Sequence, residues 1–236
     1  MNLSLIVASA GTGSRMRMAR RKQNIPIHNK PLLWHTLSSI LATDIIFNNI
    51  YVMVNKKDLS YTKNQIISDL YIDKRINISV LPGGSSRVDT ISKGINNLDK
   101  STDYVFIHDG ARPFIKAELL NRLLNELKNY NAVIPAVSVK DTIKVKNNNS
   151  LVVDTLDRDS LVAVQTPQAF SYKIIQKAYK MAENIEEKVY DDSLLVERIA
   201  EPVKIVKGDY DNFKITTKED LVKAKMLLKK RGINHN

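Results

Sequence analysis

The sequence predicts a three-layer α/β fold, in which helices cover both faces of a mostly parallel, Rossmann-like sheet with a protruding β-hairpin arm. Three observations support this prediction. Apolar segments of strand length alternate with segments of helical apolar spacing. The first apolar segment runs directly into a glycine loop. Residues 140–158 interrupt the alternation with two strand-like segments around an asparagine-rich turn.

The individual elements follow from apolar spacing. Six segments have the composition of strands, namely residues 3–7, 49–54, 76–81, 104–107, 132–137 and 203–206. Helical spacing predicts helices at residues 30–41, 59–70, 88–98, 119–127, 171–181 and 193–199, and a last one that ends near residue 230. Thr216 and Glu219 have the spacing of a capping box before the last helix. We expect one domain over residues 1–236.

A β-hairpin arm is predicted at residues 138–160. Residues 141–146 and 151–156 have strand patterns, and residues 147–150 between them have turn chemistry. A two-stranded ribbon is only marginally stable alone, so the arm should pack against something else. We favour a second subunit, which predicts a homodimer. The alternative is an edge hairpin folded back on the parent sheet.

Composition narrows the class of protein. The chain has 236 residues and is 43% hydrophobic, which suffices for a sizeable core. No apolar run approaches the ~20 residues that a membrane span needs, and no leader pattern precedes the first strand. We therefore expect no membrane contact and no signal peptide. The absence of cysteine excludes disulfides and thiolate metal sites and favours a cytoplasmic location.

The basic charge has two interpretations. A net charge of +11 suits a protein that binds nucleic acid, and it also suits one that binds an anionic small molecule. The lysines are spread along the whole chain rather than clustered. Net charge therefore decides little between the two.

The loop at residues 8–23 is a candidate polyphosphate site. Gly11 and Gly13 follow the first strand, and Arg15 and Lys22 bring positive charge. A dinucleotide-binding pattern needs a third glycine where Met16 stands, and the Gly-Lys-Ser/Thr of a P-loop is absent from this loop. The loop thus suits a transferase that acts on the α-phosphate of a nucleotide. A surface turn followed by a solvated basic face is the alternative.

Polar residues also follow later strands. Asp109 and Arg112 come after the fourth strand, and Lys214 follows a turn near the C-terminus. We expect these side chains to converge with Arg15 and Lys22 at one edge of the sheet. Asp109 is the candidate ligand for Mg²⁺, which takes one or two carboxylates plus phosphate oxygens. Its alternative role is that of a helix N-cap.

A second glycine motif follows the third strand. Gly83 and Gly84 allow close approach of a ligand to the backbone and suit the reading of a base through N–H and C=O groups. Arg87 follows them, either as a ligand contact or as an ordinary helix-surface arginine.

Several separated motifs, in order and nearly end to end, resemble those of the 2-C-methyl-D-erythritol 4-phosphate cytidylyltransferases of the non-mevalonate isoprenoid pathway. These motifs are residues 10–16 with 22–23, 83–87, 108–113, 139–144, 157–158, 165–168, 191–192 and 212–216. The resemblance implies a nucleotidyltransferase sheet and a Mg²⁺-dependent reaction. CTP and 2-C-methyl-D-erythritol 4-phosphate would give the cytidine diphosphate alcohol and pyrophosphate.

The resemblance also implies roles for individual residues. Arg15 and Lys22 match the cations that stabilise the transition state, and Arg158 and Lys214 match those that hold the acceptor phosphate. The residues matching the CTP site are Ser9, Ala10, Gly11, Gly13, Gly83, Gly84, Arg87, Thr90 and Asp109. Those matching the acceptor site are Arg112, Thr142, Arg158 and Lys214. Asp109 would position the metal. The partner subunit would donate Thr142 and Arg112 through the arm.

The sequence departs from the family pattern at several positions. Arg21 stands where proline usually precedes the catalytic lysine. Ser9 and Gly110 each stand where alanine is common, and Tyr190 opens an acidic motif that usually begins with threonine.

Two other functions remain open from sequence alone. A cytidylyltransferase for another sugar-alcohol phosphate, such as ribitol 5-phosphate, shares the glycine motifs. A basic nucleic-acid-binding protein or a non-catalytic relative would explain the charge. We expect no nucleic-acid partner, because no aromatic-studded strand for base stacking is visible.

Overall fold

The structure, a computed structural model, describes residues 1–11, 22–182 and 188–231, with Lys22 described by its backbone alone. Its strands are β1 Leu3–Ser9, β2 Pro26–Ile27, β3 Lys30–Pro31, β4 Asn49–Val54, β5 Asn77–Pro82, β6 Tyr104–Asp109, β7 Ala132–Ser138, β8 Lys144–Lys146, β9 Val152–Thr155, β10 Val162–Val164, β11 Gln168–Ser171 and β12 Lys204–Lys207. Its α-helices are α1 Leu32–Leu41, α2 Leu59–Tyr61, α3 Arg87–Asn96, α4 Ala117–Glu126, α5 Tyr172–Met181, α6 Ser193–Arg198 and α7 Lys218–Lys230.

The central sheet is mixed but mostly parallel, as predicted. Its order is β12-β7-(β10, β11)-β6-β1-β4-β5, where β10 and β11 lie end to end along one side of β7. β1, β4, β5 and β6 pair in parallel, and β12 pairs in parallel with β7. β10 and β11 run antiparallel to their neighbours. The parallel strands therefore end at one common edge, where ligands of open α/β sheets bind.

Helices cover both faces of this sheet, because successive residues of a strand face opposite sides. On β1, Leu5 and Val7 belong to a buried cluster with residues of α1 and α4, whereas Ile6 belongs to a cluster with residues of α3, α5 and α6. A third, smaller apolar cluster joins α7 to the segment after β6. The prediction of a three-layer α/β fold is confirmed.

One local prediction holds in part and another is wrong. The helix predicted at residues 59–70 is helical over residues 59–69 but irregular: after a 3₁₀ turn at Lys56–Asp58 it consists of α2, a π-turn at Thr62–Ile66 and a 3₁₀ turn at Ile67–Asp69. Serine, asparagine and β-branched residues give this segment low helix propensity. The capping box of α7 is formed by Thr217 and Asp220, each side chain accepting from the other's backbone N–H.

The arm is present as a small separate hairpin. β8 and β9 pair antiparallel in a two-stranded sheet of their own, shorter than the predicted strands. Ser150 in its turn has a φ of 62°. In the described part of the chain, none of the helices combines the length and apolar character needed to span a bilayer.

Candidate active site

The centre of the site is Asp109, the last residue of β6, which is only 6% exposed. Its Oδ2 lies 2.9 Å from Lys214 Nζ and 3.4 Å from Arg112 Nε. Its Oδ1 lies 3.6 Å from Arg87 Nε. One carboxylate thus faces three cations from three separate segments, and the predicted convergence of Asp109, Arg112 and Lys214 is confirmed.

The neighbouring cations keep the Asp109 carboxylate ionised. Burial alone would raise the pKa of Asp109. The charges of Lys214, Arg87 and Arg112 together lower it by more, so the pKa falls below its usual range. The carboxylate is ionised at neutral pH. With Asp192, which also binds Arg87, the described cluster has two carboxylates for three cations. Such a partly dry, basic cluster is suited to an anion.

A hydrogen-bonded chain fixes the Asp109 backbone. His108 Nε2 lies 3.0 Å from the carbonyl oxygen of Arg112, and because a carbonyl only accepts, this nitrogen carries the proton. His108 Nδ1 then accepts from Thr166 Oγ1 at 3.1 Å, and Thr166 Oγ1 accepts from the N–H of Asp109 at 3.0 Å. Burial lowers the pKa of His108 to about 4, which keeps the imidazole neutral.

The segment that carries Lys214 docks directly on the Asp109 turn. Arg112 Nη1 donates to the carbonyl of Asn212 at 2.8 Å, and Asn212 Nδ2 donates to the carbonyl of Thr166 at 2.8 Å. The N–H of Ile215 donates to the carbonyl of Ala111 at 2.9 Å. Lys214 is therefore held beside Asp109 by backbone contacts on both of its sides.

The glycine pair, Gly83 and Gly84, lies against the end of β1. A Cβ atom on Gly83 would lie 2.4 Å from the Cβ of Ala10, and one on Gly84 would lie 2.1 Å from Asp89 Oδ2. The N–H of Gly84 donates to Thr90 Oγ1 at 3.0 Å. Neither glycine has room for a side chain, which accounts for both residues in physical terms.

A cleft of about 560 Å³ opens beside the cluster. Asp109, Arg112 and Lys214 line one side, and the start of α6 lines another. Apolar residues of the sheet edge, Val164 and Ile205, complete it. The cleft therefore joins the cations around Asp109 to an apolar rim, and two further carboxylates, Asp191 and Glu197, also line it.

Several predicted residues are not in this cleft. Thr142 and Arg158 are exposed on the arm segment, where Arg158 Nη1 donates to the carbonyl of Lys140 at 3.2 Å. Neither lines the cleft. Gly11 is exposed, and a Cβ atom there would meet open space. Gly13, Arg15 and the side chain of Lys22 lie outside the described residues.

Sequence reasoning gave no chemical role to the polar residues behind the site. Gln168 Oε1 accepts from the N–H groups of Asp192 and Ser193 at 3.1 Å, and Gln168 Nε2 donates to Asp191 Oδ2 at 2.8 Å. The peptide bond between Thr166 and the proline after it is cis. The sequence signals for this framework were the motifs at residues 165–168 and 191–192.

Comparison with known proteins is consistent with this geometry. The family model IspD, described as 2-C-methyl-D-erythritol 4-phosphate cytidylyltransferase, matches residues 3–230. The protein of that name from Alkaliphilus metalliredigens is 41% identical over 229 residues, covering 97% of this chain and 94% of the relative. The one from Clostridium beijerinckii is 38% identical, covering 96% and 98%.

A solved structure agrees with these sequence matches. The 4-diphosphocytidyl-2C-methyl-D-erythritol synthase of Anaerococcus prevotii superposes with a TM-score of 0.82 at 33% identity, covering 97% of this chain and 98% of that one. Since the family model spans nearly the whole sequence, the chain belongs to the 2-C-methyl-D-erythritol 4-phosphate cytidylyltransferase family and is a transferase of that class.

Proposed function

We propose that this chain joins CTP to 2-C-methyl-D-erythritol 4-phosphate and releases pyrophosphate, as the family's name describes. The observation that carries the proposal is the convergence of Arg112 and Lys214 on the Asp109 carboxylate at the end of β6, while the glycine pair lies near the end of the neighbouring strand β1. An acceptor phosphate and a nucleotide can meet at that edge. We further propose that the reaction takes place in the cytoplasm.

Arg112 and Lys214 bind the acceptor phosphate in this proposal. Both cations now contact Asp109 Oδ2 and face the cleft, so an incoming phosphate has to draw them partly away from that oxygen. Held there, an acceptor phosphate oxygen attacks the α-phosphorus of CTP in line. The bond from the α-phosphorus to the bridging oxygen breaks, and pyrophosphate leaves. No covalent bond to the enzyme is required.

The nucleotide lies along the ends of β1 and β5. Ser9, Ala10, Gly83, Gly84 and Thr90 are neighbours there, and we propose that they form the cytosine and ribose site. We propose that the loop at residues 8–23, which includes Gly11 and Gly13, binds the triphosphate through backbone N–H groups. Arg15 and Lys22 remain the proposed cations for the charge that develops on the α-phosphate and the leaving group.

Mg²⁺ fits this site if most of its ligands are phosphate oxygens and water rather than protein side chains. The described residues contain no group of three or more acidic or histidine side chains that could enclose a cation. Asp109 offers one carboxylate, whose Oδ1 lies 3.6 Å from Arg87 Nε. One carboxylate plus phosphate oxygens and water is a common Mg²⁺ environment. Bound there, Mg²⁺ would neutralise part of the triphosphate charge.

A homodimer would complete the acceptor site. The arm exposes Leu151, Val152 and Val153 by 62%, 62% and 59%. Thr142 and Arg158 lie on the same segment, outside their own chain's cleft. We propose that the arm of one subunit covers the apolar rim of the other cleft and brings both residues to the acceptor there. The sequence analysis expected the partner subunit to donate Arg112 as well, but Arg112 lines the cleft of its own chain.

The test is pyrophosphate release from the full chain with Mg²⁺ and a panel of substrates. CTP, UTP, ATP and GTP are each paired with 2-C-methyl-D-erythritol 4-phosphate, ribitol 5-phosphate and glycerol 3-phosphate. We expect release only with CTP and the methylerythritol phosphate. Turnover with ribitol 5-phosphate alone would reassign the acceptor. No turnover with any pair, together with salt-dependent RNA or DNA binding, would overturn the proposal.

A further inference from the structure

Arg87 connects the nucleotide side of the site to the acceptor side. It is the first residue of α3, immediately after the loop that contains the glycine pair. Its Nη1 and Nη2 donate to Asp192 Oδ1 and Oδ2 at 2.8 and 2.7 Å. Its Nε lies 3.6 Å from Asp109 Oδ1. The guanidinium is thus directed at two protein carboxylates, with a planar fork that lysine could not reproduce.

Asp192 is held in a fixed orientation to receive that fork. It is fully buried at the start of α6 and so cannot meet a substrate itself. The hydroxyl of Tyr179, on α5, donates to Asp192 Oδ1 at 2.5 Å. The N–H of Asp192 donates to Gln168 Oε1 at 3.1 Å, which ties it to β11. Three elements therefore determine where the Arg87 guanidinium lies.

We propose that Arg87 is a positioning residue rather than a CTP ligand. Asp192 fixes the guanidinium, and the guanidinium fixes the start of α3, with Gly83 and Gly84, relative to Asp109. The inference rests on the proposed function and revises the sequence expectation, which placed Arg87 among the CTP contacts. Its consequence is that Asp192, which never touches substrate, controls the affinity for CTP.

A double-mutant cycle on CTP affinity tests this directly. The dissociation constant for CTP with Mg²⁺, without acceptor, is measured by calorimetry for Arg87→Gln, Asp192→Asn and the double variant. We expect each single variant to raise Kd about tenfold or more, the effect of one charged hydrogen bond. The Kd of the double variant should be no higher than that of the single variant with the higher Kd, because each change removes the same Arg87–Asp192 ion pair.

Tyr179→Phe keeps the charges of Arg87 and Asp192, and it replaces Asp192→Asn in the experiment if that variant does not fold. It removes one hydrogen bond to Asp192, and we expect Kd to rise about threefold or more. Arg75→Gln is the matched control, since Arg75 makes a two-bond pair with Asp73 on the surface. It should leave Kd unchanged. All measurements are made well below each variant's unfolding temperature, so that lost stability alone does not change Kd.

Two results would overturn the inference while the proposed function stands. One is a wild-type Kd in Asp192→Asn and Tyr179→Phe together with a raised Kd in Arg87→Gln, which would make Arg87 a direct ligand. The other is a double variant whose loss equals the product of the single losses. A wild-type chain that binds no CTP would instead overturn the proposed function, and the inference with it.

Discussion

A Cβ atom on Gly110 would lie 2.7 Å from Ser9 Oγ and 2.9 Å from Ser9 Cβ. These are two of the positions where the sequence departs from the alanine common in the family, and the structure puts them in contact. The larger residue on β1 is accommodated by the smaller one after β6. Ser9 Oγ is buried and has no hydrogen-bond partner among the described residues. The two departures therefore compensate each other in part, since the Cβ of residue 9, which an alanine would keep, also meets that position.

Gly110→Ala should lower the free energy of unfolding by about 1–3 kcal/mol, the usual cost of overpacking. Ser9→Ala in the same chain should recover part of that loss, because it removes the hydroxyl that the new methyl group meets. Urea unfolding of the four combinations measures the coupling. The Ser9→Ala variant alone is the control and should be neutral or slightly stabilising. Additive effects would contradict the compensation.

His108 makes stability depend on pH. Its folded-state pKa of about 4 lies below the usual 6.5 because burial disfavours the charged ring. The unfolded chain therefore binds more protons between these values, and the stabilisation is complete above pH 6.5 and lost as the pH falls toward 4. The difference between the folded and unfolded pKa values of His108 corresponds to roughly 3 kcal/mol of the free energy of unfolding.

His108→Gln keeps a donor and an acceptor in the side chain but does not titrate. We expect the free energy of unfolding of the wild type to fall more steeply than that of His108→Gln between pH 6.5 and 4. Urea unfolding at four pH values measures both slopes. Parallel slopes would mean that His108 is not the titrating group, since the acidic residues contribute equally to both proteins.

The arm is the element whose exposure most needs explanation. A two-stranded hairpin with exposed valines and a leucine is marginal in isolation and a site for association. We expect the wild type to sediment as a dimer. Val152→Lys with Val153→Lys should give monomers, because the two residues face opposite sides of the strand and one of the two charges would be buried whichever side makes the contact.

Val222→Lys on α7 is the control, since Val222 is 54% exposed, a fraction similar to that of the two arm valines. It should leave the dimer intact. The monomeric arm variant should keep CTP binding and lose use of the acceptor, if Thr142 and Arg158 act in the partner's cleft. A wild-type monomer with full activity would contradict the role of the arm.

The insertion of β10 and β11 shows where sequence patterns are limited. Gln165, Thr166 and Gln168 are polar yet buried, and they interrupt any apolar run. Their polar groups find partners far along the chain, such as Asp209 for Gln165. Periodicity reports burial only where apolar residues provide it. β10, Val162–Val164, is apolar but only three residues long, and β11 begins at the buried Gln168, so neither was predicted as a strand.

For the molecule as a whole, the sequence predicted the features that repeat or that end a strand. Apolar runs predicted the parallel strands, and Asp109 and the glycine pair marked the edge where those strands end. The buried polar framework could not be predicted, because it depends on pairs remote in sequence. Arg87 and Asp192, for example, are 105 positions apart. Spacing patterns describe local periodicity and cannot identify such partners.

The central claim is that Lys214 and Arg112 bind the acceptor phosphate at the Asp109 edge. Steady-state kinetics of Lys214→Ala, with acceptor varied at saturating CTP, tests it most directly. The fold should persist, because Arg87 and Arg112 still face Asp109. Lys218→Ala, an exposed lysine four residues away, is the control.

We predict that Lys214→Ala lowers kcat/KM for the acceptor by about 100-fold or more, while its Kd for CTP stays within about threefold of the wild-type value. Lys218→Ala should match the wild type in both quantities. Unchanged acceptor kinetics in Lys214→Ala, or a loss of CTP binding in place of acceptor use, would contradict the account.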